Sequence, residues 1–144
     1  MNATISKFGY PATLIADYEH WVVLLRPAQA TLGALVLACK DDSNAFSQIS
    51  PSAFQELSQA IIDIETVLSH AFNYNKINYL MLMMVDPHVH FHVLPRYAQT
   101  TTFEGISFED PGWPQQPDLT HKTDLSTGQS EQLIHLLKSH WPSA

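Results

Sequence analysis

The sequence predicts an α+β domain of roughly five strands, with one long helix packed on them and a second helix at the C-terminus. Three observations predict it. Short apolar runs bounded by turn residues occupy residues 12–39 and again 77–94. Between them, apolar residues recur at helical spacing from Ala53 to Phe72. A shorter stripe of the same kind closes the chain. Runs of strands that flank a helix without regular alternation fit the α+β class.

The first run covers residues 12–16. The second, 20–26, is β-branched and aromatic and ends at Pro27; the third, 32–39, ends in a polar segment, 40–44. Apolar runs of this length are buried strands more often than helices. The connector 27–31 is short, so the second and third strands are expected as antiparallel neighbours. Ser50 can cap a helix, and Pro51 suits its first position, where a missing N–H costs nothing. Ala53, Phe54, Leu57, Ala60, Ile61, Ile64, Val67, Leu68, Ala71 and Phe72 then form one stripe, with Gln55, Gln59, Asp63 and Ser69 expected on the other side. Asn73-Tyr74-Asn75 ends this helix.

Residues 77–85 are almost wholly apolar and are expected as a strand buried on both faces, with Met81, Met83 and Met84 as core filler. Asp86-Pro87 is a turn signal, and residues 88–94 form the last strand, stopped by Pro95. The two strands are expected to make a hairpin. The segment 96–123 is polar and proline-rich, but Phe103, Phe108 and Trp113 should hold it to the body, Trp113 as a packed loop residue rather than a lid. A final helix starts at Ser126 or Thr127, with Leu133, Leu136, Leu137 and Trp141 inward. No linker or repeat interrupts the chain. It reads as one domain over 1–144, with a core at about 8–97 and a C-terminal extension and helix at 98–144.

Composition narrows the functional classes. The chain is 45% hydrophobic and 15% charged, which excludes a disordered tail. Its net charge of −7 repels nucleic-acid backbones, yet leaves room for a small nucleotide in a local pocket. Cys39 is the single cysteine, so no internal disulfide is expected. The start lacks a basic segment followed by an apolar run, and no stretch is long enough for a membrane helix; a cytoplasmic location is expected.

Eight histidines is a high count, and three of them fall in His88-Val89-His90-Phe91-His92. On a strand, side chains alternate, so the three imidazoles share one face while Val89, Phe91 and Val93 anchor the other. A structural row is disfavoured, because each buried ring needs partners for its nitrogens. A metal site has the right ligand type, but three rings at this spacing on a flat strand converge poorly on one ion. Nucleophilic catalysis fits best: a neutral imidazole is a good nucleophile near neutral pH, and a neighbouring ring can offset phosphate charge or protonate a leaving group.

The run His88-Val89-His90-Phe91-His92-Val93-Leu94 resembles the signature of the histidine triad (HIT) family at all seven positions. A looser resemblance extends from about Phe8 to Tyr97. It is similar to the branch with the fragile-histidine-triad hydrolases and nucleotide-binding phosphoramidases. The resemblance implies a five-stranded antiparallel sheet and a homodimer. It also implies a nucleotidyl hydrolase or transferase acting on a phosphoramidate or dinucleoside polyphosphate, with no cofactor. By it, His90 is the nucleophile that forms a nucleotidyl-histidine, His92 contacts phosphate and leaving group, and His88 orients His90. Arg96, just past the motif, and the position of Leu25 are the candidate substrate contacts.

The chain departs from the family pattern at three places. Met83-Met84-Val85-Asp86-Pro87 replaces a glycine-rich segment whose Gln and Ser or Thr hold the leaving phosphate. Ala34 stands where many members carry a histidine. An Asn that contacts ribose is replaced near Leu25. A changed leaving group, smaller than a second nucleotide, is one consequence; a nucleotide-binding module with weakened catalysis is another. A histidine-based metal protein is the third alternative.

Overall fold

The computed structural model describes residues 1–142. Five strands form one antiparallel sheet: β1 (Leu14–Asp17), β2 (Trp21–Leu25), β3 (Leu35–Cys39), β4 (Lys76–Leu80) and β5 (His90–Arg96), in the order β1-β2-β3-β5-β4. Helix α2 (Pro51–Phe72) and the C-terminal helix α3 (Thr127–His140) cover one face. A short helix α1 (Ala3–Lys7), absent from the sequence expectation, lies on the other.

Alternation decides which side chains meet α2. Trp21, Val23 and Leu25 of β2, Leu35 and Leu37 of β3 and Val93 of β5 point to the helices and pack with Ile64, Val67 and Leu68. Burying one such side chain stabilises by about 1.5–3 kcal/mol. The alternate residues Val22, Leu24, Val36 and Ala38 face α1 through Ile5. His90 and His92 pair with Ala38 and Val36 and share that second face. Helix α2 begins as expected: Ser50 Oγ accepts from the Ala53 amide at 3.1 Å, and Asn73 ends it in the left-handed region. Asp63, expected outward, is buried, because the Tyr18 hydroxyl donates to it at 2.6 Å.

Three expectations near the motif need correction. The strand before it stops at Leu80, so Met84 and Val85, expected in the core, are 84% and 83% exposed. β4 is also an edge strand, partly buried rather than sandwiched. The register pairs Leu80 with His92, which turns the expected tight hairpin into a long loop over residues 81–89. Finally, β5 starts at His90 and runs through Pro95, leaving His88 just before the strand. Proline is tolerated there because β3 pairs with β5 only as far as Val93.

The C-terminal extension folds back as a small hairpin, β6 (Thr101–Phe103) and β7 (Ile106–Phe108). Glu104 and Gly105, at φ 50° and 76°, supply the two left-handed residues of its turn. Ser126 and Gln129 form a reciprocal capping box at the start of α3.

Candidate active site

The uncovered part of the second sheet face is a cleft of about 390 Å³, lined by Lys7, Phe8, Arg26, the loop residues 82–86, His90 and His92. β5 supplies the two histidines as alternate residues on a paired strand, with ring centroids 5.1 Å apart. His90 is 1% exposed and His92 is 7% exposed. Phe8, at the exit of α1, packs against both rings, at 5.7 and 5.6 Å.

Hydrogen bonds set the state of each ring. His90 Nδ1 lies 2.6 Å from the carbonyl oxygen of His88. A carbonyl only accepts, so Nδ1 carries the proton and Nε2 holds a lone pair. Arg26 Nε donates to His92 Nδ1 at 3.3 Å. A guanidinium only donates, so His92 is neutral with its proton on Nε2. Among the described residues, no hydrogen bond engages either Nε2. Burial, followed by Arg26 and His90, pushes the pKa of His92 down to about 4. The pair is therefore complementary: one Nε2 with a free lone pair, the other with a free proton.

His88 has a different role from its neighbours. Its imidazole Nδ1 is hydrogen-bonded to Thr4 Oγ1 at 2.9 Å, and only its backbone reaches His90. Asn2 holds α1 in place for this contact. Its Oδ1 caps the helix at Ile5, and its Nδ2 donates to the carbonyls of Cys39 and Asp41, each at 3.0 Å.

The two expected substrate contacts are not brought to the cleft. Leu25 points to the helix side, into the core. The next residue, Arg26, reaches the site instead, steadied by donation from Nη1 to the Ala28 carbonyl at 2.6 Å. Arg96 is held by Asp110 through two contacts at 2.7 and 3.0 Å, and by Asn78 at 2.8 Å. It pins the C-terminal extension to β5. Trp113 does not line the cleft. Sequence reasoning missed Arg26, Thr4 and Phe8. Only the adjacency of Arg26 to the Leu25 position hinted at one of them.

Among the described residues, no three His, Cys, Asp or Glu side chains are placed to hold a metal ion, and no helix is long and apolar enough to cross a membrane. A larger cavity, about 570 Å³, lies on the opposite face between β1, α2 and α3. Four of its polar side chains form one network: Gln59 and Tyr18 donate to Asp63, and the Trp141 indole donates to Tyr18. That cavity is a joint between elements, and the histidine cleft is the candidate site.

A HIT domain family model matches residues 8–99. The chain belongs to the HIT family. The matched region holds all three motif histidines, Phe8 and Arg26, while Thr4 and Lys7 lie before it. No curated protein gives a match. Solved structures with the same fold include a HIT protein from Sinorhizobium meliloti, 16% identical, TM-score 0.75, covering 97% of this chain and 95% of that one. A histidine triad protein from Bradyrhizobium japonicum is 15% identical, TM-score 0.71, with 98% and 96% covered. A hypothetical histidine triad nucleotide-binding protein from Sulfolobus tokodaii is 15% identical, TM-score 0.67, with 95% and 88% covered. The HIT fold here thus includes α1 and the C-terminal extension as well as the matched core.

Proposed function

We propose that this HIT protein is a nucleotidyl hydrolase or transferase acting on a small nucleoside phosphate derivative through a covalent nucleotidyl-His90. The observation that carries the reading is the 2.6 Å contact from His90 Nδ1 to the His88 carbonyl, which leaves the Nε2 lone pair facing the cleft. His90 Nε2 attacks phosphorus and the bond to the leaving group breaks. His92 Nε2–H donates to a phosphate oxygen, and Arg26 offsets the phosphate charge. Water then attacks phosphorus, the N–P bond returns its electron pair to His90, and the nucleoside monophosphate is released.

The test is release of AMP from an adenosine phosphoramidate or a dinucleoside polyphosphate. His90→Asn is expected to abolish it, with nucleotidylated His90 trapped in the parent protein by mass spectrometry. Unchanged turnover in the variant removes His90 from the mechanism. A second reading, a nucleotide-binding module with weak catalysis, is favoured by one observation: Met83, Met84 and Val85 offer no side-chain donors to a leaving phosphate. Binding of AMP by calorimetry without turnover would select it. The homodimer implied by family resemblance would use one of the free sheet edges, β1 or β4; sedimentation tests this.

A further inference from the structure

Asp63 and Asp110 both carry buried carboxylates, and only one of them meets a cation. Arg96 pairs with Asp110 at 2.7 Å. Asp63, 7% exposed, pairs with no lysine, arginine or histidine among the described residues. Neutral donors alone hold its oxygens: the Tyr18 hydroxyl at 2.6 Å on Oδ2 and the Gln59 amide at 2.9 Å on Oδ1. The Trp141 indole donates to the Tyr18 hydroxyl at 2.9 Å, so the chain of hydrogen bonds aims its donors at Asp63. Burial, then the bond to Asp63, pushes the Tyr18 phenol up, so it keeps the proton it donates. This arrangement favours an ionised carboxylate, and a buried ion without a counter-ion is costly.

Asp63 lines the cavity of about 570 Å³ between β1, α2 and α3, which is within the size range of small-molecule sites. Each carboxylate oxygen has a second lone pair beyond the one already used. Around it stand the aromatic Tyr18 and Trp141 and the apolar Ile15 and Ala16. Aromatic rings attract organic cations to their faces. A metal ion finds less here: among the described residues, no three His, Cys, Asp or Glu side chains gather to hold one. Two further charged groups line the cavity. Asp17 is already paired with Lys40 at 2.6 Å. Lys138 is exposed, on the last turn of α3, where a long side chain keeps its charged head in water.

We propose that this cavity binds an organic ammonium ion, its cationic nitrogen on Asp63 and its apolar body against Ile15, Ala16 and Trp141. The site shares no residue with the histidine cleft and stands apart from the proposed attack by His90. Such a ligand supplies the counter-charge that the fold withholds from Asp63. It also bridges β1, α2 and α3, so its binding stabilises the folded chain. An inorganic cation would leave most of the space unfilled, and a carboxylic acid would meet Asp63 with a like charge.

The experiment titrates the full chain at pH 7 with three molecules of similar shape: phenethylammonium, the neutral 2-phenylethanol and the anionic 3-phenylpropionate. Nitrogen NMR follows the Trp141 indole and the Ala16 amide. Phenethylammonium is expected to move both signals saturably, with a Kd of about 10 mM or tighter, ordinary for so small a ligand. It should bind about tenfold or more tighter than the other two, the scale of a hydrogen bond to a charged group. Asp63→Asn should erase that margin. Lys138→Glu, at an exposed position, should tighten amine binding by removing a like charge, and it carries the test should Asp63→Asn not fold. Equal binding of the alcohol would make the cavity an apolar pocket only and overturn the proposal. Tighter binding of phenylpropionate would give the site to Lys138 and overturn it too. So would no shift with any of the three, or shifts confined to His90 and His92. An amine affinity unchanged in Asp63→Asn, or in Lys138→Glu where the first variant does not fold, has the same force.

Discussion

The carbonyl oxygen of His88 accepts the Nδ1 proton of His90 across 2.6 Å. The first histidine of the motif thus orients the second through its backbone, while its own ring turns to Thr4. Any residue at 88 offers that carbonyl. We expect His88→Asn to keep turnover within roughly 100-fold of the parent, the range of an outer-shell partner. His90→Asn should lose on the order of 10⁴-fold or more, as for removal of a nucleophile. Steady-state AMP release compares the two. A His88 variant as inactive as the His90 variant would place the His88 imidazole in the mechanism.

Arg96 and Asp110 form a pair with side chains only 3% and 1% exposed. Asp110 also accepts from the Tyr97 amide at 3.1 Å. Removing one partner leaves a buried charge alone, so Asp110→Ala is expected to cost about 3–5 kcal/mol. Urea unfolding measures the cost. The nucleotide KM of the folded fraction should stay unchanged, and a raised KM without lost stability would return Arg96 to the phosphate.

Stability should fall in acid because of His92. Its folded pKa of about 4 lies below the ordinary value near 6.5. Between those values the unfolded chain binds a proton at residue 92 that the folded chain refuses. The contribution is therefore whole above pH 6.5 and declines as the pH drops toward 4. Arg26 and His90 oppose the charged ring, and Asp86 favours it. The slope from this one group is at most about 1.4 kcal/mol per pH unit. His92→Gln should flatten the acid limb of a Tm-against-pH curve; an unaltered limb would show that the ring charges freely in the folded protein.

Asn2 ties α1 to the end of β3 through two hydrogen bonds, to the Cys39 and Asp41 carbonyls, and caps the helix with a third, from the Ile5 amide. Asn2→Ala is expected to cost about 1–2 kcal/mol as a lost cap. It should also loosen Thr4 and Phe8 from the histidines. Faster amide exchange at residues 3–8 together with slower turnover is the expected pair of results. Faster exchange with full activity would mean that the helix is not needed at the site.

The motif was legible because its information is local. Period two on an apolar strand places His90 and His92 side by side whatever the rest of the chain does. The same holds for α2, whose cap and stripe lie within one segment. Met84 and Val85 misled because hydrophobicity states a preference for burial and not whether a covering surface exists. The strand ends at Leu80, and nothing in the described chain covers Met84 and Val85 in the loop beyond it.

By itself, then, the sequence determined the order of the five sheet strands and of helices α2 and α3, the family signature and the position of the proposed nucleophile, all written in contiguous residues with a fixed backbone period. Tertiary structure alone decided what surrounds them. Strand parity sent Leu25 into the core and Arg26 to the cleft, and Thr4 reaches His88 from 84 positions away. An arginine in sequence has no stated partner. Only the folding of the C-terminal extension gave Arg96 to Asp110, and only the sheet order, with β3 alone between β2 and β5, brought Arg26, just past β2, to His92. Side-chain charge and tautomer follow from neighbours in space, and those are chosen by the fold.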